Sequence, residues 1–337
     1  MVPEGSRGIL GSVDAIFLGH ALTNGCRTTY YFPLLEKAGL RARYVDVPSG
    51  PSRLRILEAL PRCDVLFVQR LVLSSRELEV ARARAGRIVW DVDDPIFQRS
   101  SRHWIPFSPR RRAAFRAMAA SSDAVLAGSP RIAEEALRTL PAERVAVVPS
   151  TVDAGEYRPD PSRRDPAFVT LGWLGSTGTL PYLQTLGPAL EEVLRRDPRV
   201  RVKVVSSRFP SFPVVRKPWR KEEEVADLQS FDVGLLPLTD DAWTRGKGHG
   251  KLFQYLASGV PVAASPVGIV GGTLRDGVTG IFCRTRKEWV DGLLRLASDP
   301  ASRERMGLEA RLDFERRLSV QAVFHIVLNA LMGNKLN

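Results

Sequence analysis

A glycine-rich segment in the second half of the chain limits its architecture more than any other. It has the sequence GKGHGKLFQYLASGVPVAA and begins at Gly246. Its glycines allow the backbone to approach a ligand closely, and Lys247 and Lys251 stand four positions apart where a helix is about to begin. This pattern predicts a loop that holds an anion such as phosphate at a helix N-terminus.

A short helix and a buried strand follow this loop. Residues 252–258 are mostly apolar and predict the helix, and Gly259 stands where a left-handed C-terminal cap is expected. Residues 260–264, VPVAA, contain no polar side chain, which predicts a strand buried on both faces. Such strands are typical of parallel sheets covered by helices on both sides.

The same alternation of apolar run, loop and helical pattern recurs along the chain. It is typical of doubly wound α/β domains, in which helices connect parallel strands. The strands predicted in the first half are residues 13–18, 43–47, 64–69, 87–90, 124–127 and 145–148. Those predicted in the second half are residues 168–174, 201–206, 231–237 and 260–264.

The length of 337 residues suits two domains of about 150 residues each. A proline-rich segment, TVDAGEYRPDPSRRDPA, has the composition of a linker. We therefore predict a first domain at 1–155, a linker at 156–166, a second domain at 167–318 and a final helical segment at 319–337. Thr285 with Glu288, Asp299 and Ser319 are predicted to cap the last three helices.

The second half resembles the C-terminal domain of family 4 glycosyltransferases. The similar parts are GKLFQYLASGVPVAASPVG, the glycine turn of Asp276, Gly277 and Gly280, and KEWVDGLLRLASDPASRERMG. The resemblance implies the GT-B fold, in which two Rossmann-like domains face each other and the last helix crosses back to the first domain. It also implies sugar transfer from a nucleoside-diphosphate donor to an acceptor hydroxyl, with retention of configuration.

The resemblance places the donor in the second domain. Many family members carry two glutamates eight positions apart, where this chain has Gly246 and Gln254. Gln254 is able to bond a ribose hydroxyl, and Asp241 is the catalytic candidate for the lost sugar contact. The loop GSTGT lacks the basic residues of other members, which leaves the diphosphate to the two lysines. The predicted donor-binding residues are Gly175, Ser176, Thr179, Lys247, Lys251, Leu252 and Gln254.

The first domain is predicted to supply the acceptor side. Ligands of open parallel sheets gather at the carboxyl ends of the strands, where the sequence places His20, Arg70, Asp93 and Asp94. We predict catalytic roles for His20, Asp93 and Asp94, with one aspartate holding or deprotonating the acceptor hydroxyl. Arg70 and Asn24 are predicted on the acceptor side.

Other interpretations of the aspartates stay open. Asp91 and Asp93 form the aspartate-any-aspartate pattern of a metal–nucleotide site, which we disfavour because two lysines already supply charge for a diphosphate. Asp94 is alternatively the cap of a helix or turn that begins at Pro95, or a structural partner of Arg70. We predict neither a metal nor a cofactor, and the nucleotide sugar is a co-substrate.

The net charge of +12 comes from 41 arginines and 8 lysines spread over both halves. A segment in the first domain combines this charge with aromatic side chains, a mixture suited to an anionic bilayer surface. An ordinary helix with a solvated arginine face explains it equally well. The residues predicted to meet a membrane are Trp104, Phe107, Arg110, Arg111 and Arg112.

The cysteines and the hydropathy point to a cytoplasmic protein. Cys26, Cys63 and Cys283 are far apart, which fits neither a disulfide framework nor a zinc site. No run approaches the roughly 18 apolar residues of a membrane span, and the N-terminus lacks a secretory pattern. Any contact with a membrane is therefore expected on its inner, cytoplasmic face.

Two rival functions remain open at this stage. A nucleotide-sugar epimerase or an inactive relative of the same fold is favoured by the loss of both glutamates. A nucleic-acid-binding protein is suggested by charge alone, since the sequence lacks a basic stripe interleaved with aromatic residues.

Overall fold

The computed structural model describes residues 13–20, 27–48, 50 and 52–336 of the chain. Within these residues the backbone forms two six-stranded parallel sheets, each covered by helices on both faces. The expectation of two Rossmann-like domains is thereby confirmed. The first sheet has the order β2-β1-β3-β4-β5-β6. Its strands are β1 (Val13–Gly19), β2 (Leu40–Asp46), β3 (Cys63–Gln69), β4 (Ala85–Val92), β5 (Ala124–Ala127) and β6 (Val145–Val147).

The second sheet has the order β12-β11-β10-β7-β8-β9, and all its described pairings are parallel. Both sheets therefore change winding direction near their centre, where open α/β sheets form a ligand crevice. Its strands are β7 (Val169–Leu174), β8 (Val200–Val205), β9 (Val215–Lys217), β10 (Val233–Leu236), β11 (Val262–Ala264) and β12 (Gly280–Phe282).

Thirteen α-helices lie in the described residues and connect or follow these strands. Those of the first domain are α1 (Phe32–Lys37), α2 (Ser52–Ala59), α3 (Ser75–Arg84), α4 (Pro109–Ala120) and α5 (Pro130–Ala136). Those of the second are α6 (Leu180–Arg196), α7 (Glu224–Gln229), α8 (Ala242–Gly246), α9 (Gly250–Ala257), α10 (Ile269–Thr273), α11 (Arg286–Ser298) and α12 (Pro300–Arg317). The last is α13 (Val320–Met332).

Helix α13 packs against the first sheet, although it follows the second domain in the chain. Its apolar face buries Val327 and Leu331 in the same core as Phe17 of β1 and Phe67 of β3. The Arg87 side chain of β4 donates a hydrogen bond to the carbonyl of Ala330 at 2.8 Å. The last helix therefore completes one face of the first domain.

The predicted helix caps in the second domain are confirmed. Thr285 and Glu288 form a reciprocal capping box at the start of α11, and the Asp299 side chain accepts a hydrogen bond from the Ser302 amide of α12. Ser319 accepts from the Ala322 amide of α13. Gly259 has a φ of +64°, the left-handed conformation expected after α9.

Several short elements of the second domain were not predicted. Strand β9 has two exposed residues and β12 begins with a glycine, so neither presents a long apolar run. Helices α8 and α10 contain five residues each, too few to show a helical period. Strand β11 also begins at Val262, two residues later than predicted.

Hydropathy in the described part of the chain gives no candidate for a bilayer-spanning helix.

Candidate active site

A cavity of about 430 Å³ opens at the carboxyl ends of β7 and β8, beside the N-terminus of α9. Six of the seven predicted donor-binding residues line it. They are Gly175, Ser176, Thr179, Lys247, Lys251 and Gln254. The other lining residues are Leu174, Ser207, Trp219, Glu224 and Gly250. Two glycine-containing loops that are 70 residues apart in sequence thus border one space.

The seventh residue, Leu252, is placed elsewhere. Its side chain is fully buried in the core of the second domain, where it packs with Leu256 and Val262. The amphipathic helix α9 explains this, because Lys251 and Gln254 lie on the face toward the cavity and Leu252 on the opposite face. The structure therefore corrects Leu252 from a ligand contact to a core residue.

Lys247 connects the cavity to the first domain. Its Nζ lies 3.0 Å from Oδ1 of Asp94, and the same carboxylate pairs with the Arg70 guanidinium. Burial raises the pKa of Asp94, but the nearby charges of Lys247 and Arg70 outweigh it, so the pKa lies below its usual value. Asp94 is therefore a carboxylate shared by cations of both domains.

Asp93 has a freer carboxylate than Asp94. Its Oδ1 lies 3.1 Å from Nε of Arg70 but accepts no hydrogen bond within the described chain, although it is buried. Arg70 has a φ of +62°, and its amide donates to the Asp91 carbonyl at 2.7 Å, which turns its side chain toward the aspartates. Of the predicted catalytic aspartates, Asp93 is thus the better placed to accept from a ligand.

Asp91 belongs to the core of the first domain. Both of its oxygens accept hydrogen bonds from Arg27, at 2.7 and 2.5 Å, and both side chains are almost completely buried. Arg27 also donates to the Val148 carbonyl at 2.6 Å. A carboxylate enclosed in this way does not fit the metal–nucleotide interpretation of the aspartate pattern.

The glycine-rich loop packs directly on residues 93–95 of the first domain, the aspartate loop. The Gly248 amide donates to the Asp93 carbonyl at 2.9 Å, and the Ser129 hydroxyl donates to the Gly246 carbonyl at 2.7 Å. A Cβ added to Gly246 would lie 2.6 Å from Cβ of Pro95. The first domain therefore fills the space that a glutamate at this position would need.

His249 is a structural residue of this loop. Its φ is +46°, it is buried, and its Nε2–H donates to the Thr244 carbonyl at 2.8 Å. Burial lowers the pKa of His249 to about 4, with a smaller contribution from the positive charge of Lys247. The imidazole is neutral near pH 7 and holds the turn between α8 and α9.

Glu224 is a functional candidate that we did not predict. It lines the cavity and is almost fully buried, and it accepts hydrogen bonds from Tyr157 (2.6 Å), Trp219 (2.8 Å) and the Gln254 amide (2.8 Å). Lys251 lies 3.7 Å away. Burial raises the pKa of Glu224, but Lys251 and the hydrogen bonds outweigh this and leave it below its usual value. In the sequence, a tryptophan precedes the acidic run KEEE that contains Glu224.

The amide of Gln254 is oriented by this carboxylate. Its Nε2 donates to Glu224 at 2.8 Å and to the Tyr157 hydroxyl at 3.2 Å, which fixes the opposite Oε1. That oxygen is buried and accepts no hydrogen bond from the described residues. Because buried polar atoms are normally hydrogen-bonded, this oxygen is expected to accept a hydrogen bond from a ligand or a water molecule.

Asp241 does not line the cavity. It is the N-cap of α8, where Oδ1 accepts from the Thr244 amide at 2.9 Å and Oδ2 accepts from the Thr239 hydroxyl at 3.0 Å. The structure therefore corrects the predicted sugar contact to a capping role. His20 is half-buried at the carboxyl end of β1. Asn24 and Cys26 lie outside the described residues.

The segment before α4 exposes apolar side chains to solvent. Trp104 is 97% exposed, Ile105 56% and Phe107 52%. Residues 95–122 contain six arginines and no acidic residue. Arg112 lies over the Phe107 ring at 5.0 Å, while Phe115 of α4 is buried in the core. The helix is thus an ordinary core helix, and the loop before it is an exposed aromatic and basic surface.

Comparisons with known proteins find similarity to glycosyltransferases. Residues 187–329 match the family model described as glycosyl transferase-like. The chain is 30% identical over 196 residues to D-inositol 3-phosphate glycosyltransferase of Nocardia farcinica, an alignment that covers 50% of this chain and 43% of the relative. The corresponding protein of Actinosynnema mirum is 30% identical over 189 residues, covering 48% and 45%. The chain thus aligns with less than half the length of these curated relatives.

Solved structures show the same fold over almost the whole chain. Sucrose-phosphate synthase from Thermosynechococcus elongatus has a TM-score of 0.71 at 14% identity, covering 95% of this chain and 99% of that one. Anabaena HepE in complex with UDP and glucose has a TM-score of 0.66 at 14% identity, with the same coverage. The chain therefore has the GT-B fold of these proteins.

Proposed function

We propose that this protein transfers a sugar from a nucleoside-diphosphate donor to an acceptor hydroxyl. The observation that carries the proposal is the cavity of the second domain, in which Lys247, Lys251 and the loop 175–179 converge. The match of residues 187–329 to a glycosyl transferase-like family supports it. The Asp94 carboxylate pairs with Lys247, and the Asp93 carbonyl accepts from the Gly248 amide, so an acceptor would enter here from the first domain.

The lysines would stabilise the departing diphosphate. As the bond between the anomeric carbon and the diphosphate breaks, negative charge grows on the phosphate oxygens. A cation about 4 Å from that charge contributes up to ~4 kcal/mol at an effective dielectric of about 20, less where water screens it. The amides at the start of α9 add a favourable dipole. We propose that these groups act without a divalent metal, so turnover is expected to resist chelation by EDTA.

The nucleoside would occupy the part of the cavity formed by Glu224, Gln254 and Trp219. The buried Oε1 of Gln254 is available to accept from a ribose hydroxyl, and the half-exposed Trp219 ring offers a face for the base. HepE was crystallised with UDP and with UDP-glucose, which makes UDP-glucose the first donor to test.

On the acceptor side, we propose that Asp93 holds the attacking hydroxyl and accepts its proton, with Arg70 orienting the carboxylate. The new bond forms between the acceptor oxygen and the anomeric carbon. We propose retention of configuration, as the resemblance to family 4 glycosyltransferases implies.

The exposed loop before α4 would hold the enzyme on an anionic membrane surface. Trp104, Ile105 and Phe107 supply apolar contact, and the neighbouring arginines complement anionic headgroups. Wild-type protein should sediment with vesicles that contain phosphatidylglycerol, and the variant Trp104→Ser/Phe107→Ser should not. Leu308→Ser, which changes a 60%-exposed residue of α12, is the control. Equal binding of all three proteins would refute membrane contact through this loop.

Binding and product analysis together test the proposed reaction. A thermal-shift panel of UDP, GDP, dTDP and ADP should identify one nucleotide that raises the melting temperature by mass action. Incubation of its sugar conjugate with candidate acceptors should then give a glycosylated product, detected by mass spectrometry. Formation of an epimeric donor without transfer would instead identify an epimerase. Absence of binding by every nucleoside diphosphate would refute the proposal.

A further inference from the structure

A second cavity lies at the junction of the two domains, next to the loop 175–179. Its volume is about 600 Å³, within the range typical of small-molecule sites. Arg102 of the first domain lines one side, and Thr177, Gln184, Arg208 and other residues of the second domain line the rest. Because Ser176 and Thr179 border the first cavity and Thr177 the second, one short loop separates the two spaces.

Contacts between the domains hold Arg102 at this cavity. The hydroxyl groups of Ser101 and Tyr182 share a hydrogen bond of 2.8 Å across the domain boundary. A Cβ added to Gly178 would lie 3.7 Å from Nη2 of Arg102, so the guanidinium reaches over the tip of the loop. The cavity is thus completed only when the two domains face each other.

The charge of the second cavity differs from that of the first. Lys247 and Lys251 each lie within 4 Å of a carboxylate, Asp94 and Glu224 respectively. In contrast, none of the residues lining the second cavity is acidic. Within the described part of the chain, no salt bridge involves Arg102 or Arg208. Two guanidinium groups from different domains therefore face one cavity without a neutralising partner.

We propose that this cavity binds a phosphoryl group carried by the acceptor. A guanidinium is planar and always charged, and two of its N–H groups match two oxygens of a phosphate. Arg102 and Arg208 would supply the charge, and the Thr177 hydroxyl and the Gln184 amide would supply further donors. The inference rests on the proposed sugar transfer and adds the chemical class of the acceptor.

The position of the cavity suits this role. A phosphate anchored beside Thr177 would leave the remainder of the acceptor free to extend around the loop toward the donor cavity and Asp93. A ligand that contacts Arg102 and Arg208 together would also favour the facing arrangement of the domains. The same phosphoryl chemistry occurs in a soluble phosphomonoester and in a lipid headgroup.

The test compares binding of inorganic phosphate, glycerol 3-phosphate and monomeric dihexanoyl phosphatidic acid by titration calorimetry. Wild-type protein should bind at least one of them, and Arg102→Ala/Arg208→Ala should bind it at least tenfold more weakly. Arg55→Ala, which removes an exposed arginine of α2 outside the cavity, should bind like wild type. The melting temperature of each variant serves as the check on folding.

Each outcome supports or refutes the inference. Binding of glycerol 3-phosphate identifies a soluble acceptor, and binding of the short-chain lipid alone identifies a lipid acceptor. The inference is refuted if no compound binds wild-type protein, or if the double variant binds as tightly as wild type. UDP binding is measured in parallel on wild-type protein. If UDP binds and the phosphates do not, this inference fails while the donor site stands; if UDP does not bind, the proposed function itself fails.

Discussion

Lys247 of the second domain lies 3.0 Å from the carboxylate of Asp94 in the first domain. The cation proposed to stabilise the donor diphosphate is therefore also the ion-pair partner of a carboxylate on the acceptor side. A diphosphate that enters the cavity must compete with the Asp94 carboxylate for the ammonium group of Lys247. Donor binding and the electrostatics of the acceptor side are coupled through this one lysine.

Removal of Lys247 should weaken turnover more than folding. We expect Lys247→Ala to lower kcat/KM by a factor of about 10² to 10³, because the charge on the departing diphosphate loses a close cation. Lys287→Ala is the matched control, since Lys287 is 86% exposed on α11 and pairs with Asp291. Steady-state kinetics on the two variants measure the difference. Equal kcat/KM values would contradict the proposed role.

Neutralising Asp94 should strengthen donor binding. In Asp94→Asn the diphosphate no longer competes with a carboxylate for Lys247, so we expect UDP to bind roughly 3- to 10-fold more tightly. Glu309→Gln is the control, since it neutralises a carboxylate of α12 that pairs with Arg275. Titration calorimetry gives both affinities. Weaker UDP binding by Asp94→Asn would show that the ion pair supports the site instead of competing with it.

A methyl group at position 246 should disturb the packing of the two domains. We expect Gly246→Ala to destabilise the protein by about 1–3 kcal/mol, because the new Cβ would lie 2.6 Å from Pro95. Gly272→Ala is the control, because the space around Gly272 of α10 is open. Denaturant unfolding measures both free energies. If Gly246→Ala is as stable as the control, the aspartate loop moves to accommodate the added methyl group at little cost in free energy.

Protonation of His249 should destabilise the protein in weak acid. Its pKa is about 4 in the folded protein and about 6.5 when exposed, so the unfolded state binds the proton first as the pH falls. The shift corresponds to roughly 3 kcal/mol of stability, present above pH 6.5 and lost between pH 6.5 and 4. Lys247, Asp94 and Asp241 are the charged groups that influence this pKa.

The variant His249→Asn isolates this contribution. Asparagine tolerates the left-handed backbone of this position and does not titrate. We expect its melting temperature to vary less than that of wild type between pH 6.5 and 4.5. Carboxylates with lowered pKa values, such as Asp94, contribute mainly at lower pH. Parallel pH profiles for the two proteins would exclude His249 as the source of the acid sensitivity.

Truncating α13 at a buried side chain should destabilise the first domain. Leu331 is 2% exposed and belongs to the core that contains Phe17 and Phe67. We expect Leu331→Ala to cost about 2–5 kcal/mol. Leu308→Ala, at a 60%-exposed position of α12, should cost less than about 0.5 kcal/mol. Hydrogen exchange followed by mass spectrometry should locate the loss of protection in β1 and β3.

The sequence was informative where local chemistry determines structure. Long apolar runs such as residues 64–69 predicted strands, and side chains such as that of Asp299 predicted helix caps. Both features depend only on residues that are close together in the sequence. The glycines and lysines of residues 246–251 predicted a ligand-binding loop, because such a loop needs an open backbone and charge, and Lys247, Gly250 and Lys251 do line a cavity. These parts require no knowledge of distant contacts.

Contacts between distant residues explain what the sequence did not predict. Glu224 belongs to an acidic run whose composition predicts exposure to solvent. In the fold, Tyr157 and Gln254, which are distant in sequence, bond its carboxylate. Asp241 lies beside the lysine loop in sequence, but its carboxylate caps α8 and does not line the cavity. The closeness of Gly246 and Pro95 depends on how the two domains meet, which is a property of the whole fold.

The position of α13 has a consequence for biosynthesis. The ribosome makes strands β1 to β6 first, yet the apolar face that Val327 and Leu331 cover stays open until the final segment emerges. The first domain therefore exposes this apolar surface, which favours aggregation, while about 170 further codons are translated. A chaperone that shields β1 and β3 during this interval would be expected to raise the yield of folded protein.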